Sequence, residues 1–205
     1  MRKILIYFFL QLFLVANSFG QFKNLIPRNW KITNQAEGDF NKDKIKDFII
    51  IIDSIDNKDN WIVIKREILI LHGNQKGLYK KSKNALIFSD RNLMVEPNMI
   101  FITAKENIIR IGIGDINFGQ GNGAINYIIR YQNQEWFVIG CGYRREWFDH
   151  NDKEEPDMIG EIFSFNFVTQ TSEITNKINN KIIKKSLTKN PIKLPRFKDF
   201  RGECY

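Results

Sequence analysis

The chain has 205 residues, a formal net charge of +8, two cysteines and two histidines. That length suits one domain. It holds no HExxH, CxxC or nucleophile-elbow pattern, so it offers no ready-made zinc or hydrolase motif, although catalytic groups also assemble from residues far apart in sequence.

Met1-Arg2-Lys3 is a basic start, followed by a twelve-residue apolar run, Ile4 to Val15, broken only by Gln11. Such a run is short for crossing a bilayer and fits the hydrophobic region of a signal peptide. Ser18 and Gly20 place small residues at −3 and −1, so residues 1–20 are expected to be removed before Gln21. The expected product, 21–205, is a single β-rich domain, periplasmic or secreted. No later stretch reaches membrane-spanning length, and no cysteine near the cleavage point offers a lipid anchor.

The next feature is Glu37-Gly38-Asp39-Phe40-Asn41-Lys42-Asp43-Lys44-Ile45-Lys46-Asp47, running into Phe48-Ile49-Ile50-Ile51-Ile52. Asp39, Asn41, Asp43 and Asp47 occupy positions 1, 3, 5 and 9 of a loop, with the carbonyl of Ile45 at position 7. Hard cations such as Ca²⁺ take oxygen ligands at this spacing. Position 6 is Lys44, where an EF-hand loop has Gly, and position 12 is Ile50, where it has a bidentate Glu. The same residues also suit an Asx-rich turn whose carboxylates cap backbone N–H groups. The expectation is weak Ca²⁺ binding on a turn that forms with or without the ion. The apolar run that follows reads as a buried strand.

From Trp61 onward the apolar residues alternate with period two. Ile62, Ile64, Ile68 and Ile70 oppose Val63, Leu69 and Leu71. Ile109, Ile111 and Ile113 alternate likewise, as do Ile125, Tyr127, Ile129 and Tyr131, then Phe163, Phe165 and Phe167. Polar breaks separate these runs, which predicts antiparallel hairpins in series. The fold class is therefore all-β, an antiparallel meander of about eight to ten strands forming a curved sheet, sandwich or partial barrel. One copy of the Asp loop argues against a propeller, whose blades repeat. Gly112 and Gly114, and Gly119, Gly121 and Gly123, read as a bulge and a loop rather than a phosphate cradle, since neither group opens a helix after a strand.

The segment Glu146 to Asp157 surrounds His150 with six acidic residues, Asp149 among them. It reads as a solvated loop between strands or, alternatively, as a site in which His150 serves as base or ligand. In an oxidising compartment Cys141 and the penultimate Cys204 would pair and tie the C-terminus to the sheet. Otherwise Cys141 is an ordinary buried thiol. Only Lys177 to Leu187 reads as helix, one short C-terminal helix stopped by Asn190-Pro191. It opens a basic tail, about 177–205, with nine Lys or Arg and one Asp between Lys177 and Arg201. No aromatic residues are interleaved with these lysines, so the tail reads as a solvated face and nucleic acid is not expected.

The pattern Gly38-Asp39-Phe40-Asn41-Lys42-Asp43, with Asp47-Phe48 four residues on, resembles the calcium loops of FG-GAP and VCBS-type repeats; Lys44 departs from their Gly. Together with Pro27 to Trp30, Arg66 to Ile70 and Ile129 to Gly140, the chain resembles a group of small exported bacterial proteins that carry one such loop. That resemblance brings no activity with it. Two functional readings follow. The first is an exported, non-catalytic β domain binding a protein or glycan, with a structural Ca²⁺ loop. The second is an exported hydrolase-like enzyme built on Asp149 and His150.

Overall fold

The computed structural model describes residues 22, 24–55, 63–84, 99–117, 121–149, 155–189 and 191–202. Eleven strands are found among them. Trp30–Gly38 (β1), Asp47–Ile55 (β2), Val63–Asn74 (β3) and Gly77–Asn84 (β4) form an antiparallel sheet in that order. Ile100–Lys105 (β5), Ile108–Asn117 (β6), Asn122–Gln132 (β7), Glu135–Asp149 (β8), Asp157–Asn166 (β9), Thr171–Ile178 (β10) and Lys181–Lys189 (β11) form a second one, again in sequential order. The all-β meander is thus present as two open sheets of four and seven strands, somewhat more strands than the sequence breaks suggested.

The isoleucine run in β2 is buried on both faces. Ile49 and Ile51 join Ile68 and Ile70 of β3 in the main core, while Phe48, Ile50 and Ile52 join Leu69 and Leu71 in a smaller cluster with Phe22. The period-two reading of β3 therefore separated two cores. The main core also takes Ile109, Ile111, Tyr127, Ile129 and Val138 from the second sheet. Fully burying each such side chain is worth about 1.5–3 kcal/mol. The sheets meet where β1 lies beside β5, and Asn34 Nδ2 donates to the Ile100 carbonyl there. The predicted bulge is real: pairing of β6 with β7 shifts between Ile113 and Ile116, beside Gly114.

The segment expected as a helix is instead β10, a turn and β11. Asn179 and Asn180 hold φ of 48° and 66°. Two residues of positive φ make the hairpin turn whose twist matches the flanking strands, and Asn tolerates that conformation. The Asn179 side chain fixes the turn, donating to Asp157 Oδ1 and accepting from the Met158 N–H. Turn chemistry overrode the i, i+4 spacing of Ile178 and Ile182. The C-terminal stretch contains a short 3-10 turn, Phe197–Asp199.

The rest of the basic C-terminal stretch folds back as a strap. Phe197 and Phe200 are buried in the main core. Asn84 at the end of β4 donates to the carbonyls of Phe197 and Phe200, and Val138 N–H of β8 donates to the Pro195 carbonyl. The strap thus ties the β4 edge of the first sheet to the second sheet, opposite the β1–β5 seam.

Candidate functional site

The Asp loop joins β1 to β2, and its backbone is held by its own carboxylates. Asp39 accepts from the N–H groups of Asp43 and Lys44, at 3.1 and 2.8 Å. Asn41 Oδ1 accepts from Asp43 N–H, and Asp43 Oδ1 from Ile45 N–H. Asn41 Nδ2 donates to Asp43 Oδ2 at 2.8 Å. The Asx-turn chemistry is therefore fully present. Lys42 and Lys44 take φ of 65° and 68°, so position 6 has the left-handed conformation for which an EF-hand loop uses Gly.

Asp47 plays a different part from the other three. Its side chain is fully buried, and its two oxygens accept from Phe40 N–H (2.7 Å) and Gly73 N–H (2.8 Å). It closes the loop on itself and pins it to the end of β3. Gly73 must be small here, because a Cβ would come within 2.4 Å of the Lys46 carbonyl oxygen and 2.6 Å of Ile45 Cγ2.

Beneath the loop lies a residue whose role the sequence reading missed. Phe48 pairs with Leu71, so Asp47 and His72, one step further along each strand, stand opposite one another. His72 is completely buried. Its Nε2 accepts from the Trp136 indole N–H at 3.3 Å, and its Nδ1 has no hydrogen-bond partner among the described residues. Phe40 and Tyr131 pack their rings on Trp136, and Tyr131 and Tyr79 pack on His72. Burial lowers the His72 pKa, and the nearby Lys81 adds to this, while Asp47, Asp43 and Asp39 oppose it. Partial burial raises the Tyr131 pKa, helped by the charges of Asp47 and Asp43. The signal for His72 was legible, since it continues the even-numbered face of Ile68 and Ile70.

At the other end of the same strand pair, Asp53 and Arg66 form a fully buried bidentate ion pair, with Nε–Oδ1 of 2.7 Å and Nη2–Oδ2 of 2.9 Å. Asp53 and Arg66 are register partners. The inner face thus runs from an ion pair through four isoleucines to Asp47 and His72.

Other sequence candidates fall elsewhere. Asp149 ends β8 opposite Asp157 of β9, while His150 lies outside the described residues. Cys141 is buried in the main core and disulfide-bonded, whereas Cys204 lies outside the described residues. Opposite Cys141 in register, Tyr127 donates from its hydroxyl to the carbonyl of Gly202, two residues short of Cys204. The structure does not bring Asp149 near the Asp loop: one belongs to the far end of β8, the other to the first sheet. Among the described residues, no group of three or more His, Cys, Asp or Glu side chains, Asp39, Asp43 and Asp47 included, is placed to hold a metal. No protein-family model, curated protein or solved structure matches this chain.

Proposed function

We propose that this chain is an exported, non-catalytic β domain that binds a protein or glycan outside the cytoplasm, with the Asp loop as a structural Ca²⁺ clip. The observation that supports binding is the outward face of the seven-stranded sheet. A trough of about 510 Å³ crosses it. Gly140 forms part of the floor, where a side chain is missing, and Asn126, Ser164 and Asn166 supply amide and hydroxyl groups. Ile128 and the exposed Leu187 supply apolar walls. A shallow surface that mixes hydrogen-bonding and apolar groups suits an extended peptide or sugar chain.

The donor set of the loop is all oxygen, the chemistry of a hard cation. Asp39, Asn41, Asp43 and the Ile45 carbonyl would hold the ion. Asp47, fully buried and bonded to Gly73 N–H, would hold the loop to β3. Lys42, Lys44 and Lys46 reduce the local negative potential, so a dissociation constant of roughly 0.1–1 mM is expected, as in extracellular modules.

Pull-down from envelope and secreted fractions, in parallel with a glycan array, tests the binding reading. Ser164→Arg together with Leu187→Glu should abolish capture and leave the fold intact. Capture that survives this double change would remove the trough from the proposal. Calcium should raise the melting temperature of the wild type and not of Asp43→Ala.

A further inference from the structure

A second site also borders Trp136, and its cations outnumber its carboxylates. Three chain-distant segments surround a cavity of about 140 Å³. Lys81 and Ser82 come from β4, Gln134 and Glu135 from the turn into β8, and Arg196 and Lys198 from the strap, with the buried Trp136 also in its lining. Three cations thus meet one carboxylate. Glu135 is engaged by Arg196 at 3.0 Å, and Lys81 Nζ stands 5.7 Å from the Tyr131 ring centre.

We propose that this cavity binds a tetrahedral oxyanion, a phosphate or sulfate group, independently of the partner-binding trough. Gathering like charges around one cavity costs free energy that a bound anion relieves. The lining supplies ammonium, guanidinium, hydroxyl and amide donors, the set that recognises phosphate and sulfate oxygens. The walls are fixed by bonds away from the cavity. Val138 N–H to the Pro195 carbonyl and Asn84 to the Phe200 carbonyl, both 3.0 Å, hold the strap in place. Lys81, Arg196 and Lys198 therefore line one cavity without ligand, and an anion would also join the two sheets through the strap. The cavity is open on one side and its cations are partly exposed, so the group could be a free ion or the end of a larger ester.

Thermal melts of the full exported chain in inorganic phosphate, against chloride at equal ionic strength, provide the test. Phosphate and sulfate should raise the midpoint, and titration should give a saturable affinity. Lys81→Gln and Lys198→Gln should each weaken that affinity roughly three- to tenfold. Glu135→Gln, which deletes the one carboxylate among the described lining residues, should tighten it roughly threefold. Glucose 6-phosphate separates the sources: equal or tighter binding than phosphate assigns the site to an ester, weaker binding to the free ion. No gain over chloride, or an unchanged gain in the Lys81→Gln/Lys198→Gln double variant, overturns the proposal.

Discussion

Strands β2 and β11 both hold consecutive isoleucines, and each is entered through a turn with two non-glycine residues at positive φ. Their fates are opposite. In β2 every residue from Phe48 to Ile52 is buried, whereas in β11 Ile182, Ile183 and Leu187 are 63%, 59% and 71% exposed. Composition separates them in part, since β11 has four lysines where β2 has none, and position in the sheet accounts for the rest. β2 is flanked by β1 and β3 and lies between two clusters, while β11 is the edge of the seven-stranded sheet. Its Lys181, Lys184, Lys185 and Lys189 are the kind of residue that keeps an edge strand from pairing with another chain. A run of apolar residues becomes core only when both of its faces are covered.

The sharpest way to break the first region is to remove half of its buried ion pair. Arg66→Ala should destabilise the protein by about 3–5 kcal/mol, because Asp53 is left as an uncompensated buried charge. A joint replacement of Asp53 and Arg66 by apolar residues of similar size should recover much of that loss. Urea unfolding of the single and double variants measures both. A single-variant loss under 1 kcal/mol would mean that water reaches the pair.

Truncation compares the two strands directly. Ile51→Ala should cost about 2–5 kcal/mol, the range for a fully buried isoleucine. Ile183→Ala should stay within about 0.5 kcal/mol, as exposed substitutions do. Equal costs would show that β11 is covered in solution.

The buried histidine adds a pH dependence to the first region. The folded-state pKa of His72 is lowered, chiefly by burial. The unfolded chain therefore takes up a proton first as pH falls, near its ordinary value of about 6.5. Stability from this group is complete above that value and is lost as pH drops below it. His72→Gln, which keeps an acceptor for the Trp136 N–H, should flatten the slope between pH 7 and pH 5. Urea midpoints across that window supply the check, and identical slopes in both proteins would exclude His72 as the source.

Much of this was legible in the sequence. Period-two alternation located the strands, and the isoleucine run marked the most buried one. The Asp spacing placed the loop and its Asx bonds. Three things were not legible, each for a physical reason. Asp53 and Arg66 are thirteen residues apart, and only the register makes them partners. The strap looked like a charged tail because its lysines and arginines outnumber Phe197 and Phe200, yet two aromatic side chains suffice to dock it. In Lys177 to Leu187 the apolar spacing fitted a helix as well as a strand, and Asn179-Asn180 decided between them.

The two turns also permit a fine comparison at single positions. Lys44 and Asn180 have nearly the same φ, 68° and 66°. In this region Cβ crowds the carbonyl that follows, at about 1–2 kcal/mol for an ordinary side chain; Asn meets less of that penalty because its short polar chain bonds locally. Glycine has no Cβ, but it adds unfolded-state freedom that offsets part of the gain. Lys44→Gly should therefore stabilise the protein by up to about 1 kcal/mol, and Asn180→Gly by a few tenths at most. Lys44→Gly also takes a positive charge from beside Asp39 and Asp43, so the calcium-dependent rise in melting temperature should grow in that variant alone. Equal gains at the two positions without calcium would show that asparagine adopts this conformation no more readily than lysine does. No calcium-dependent rise in either the wild type or Lys44→Gly would leave the Asp loop as a turn held by its own hydrogen bonds.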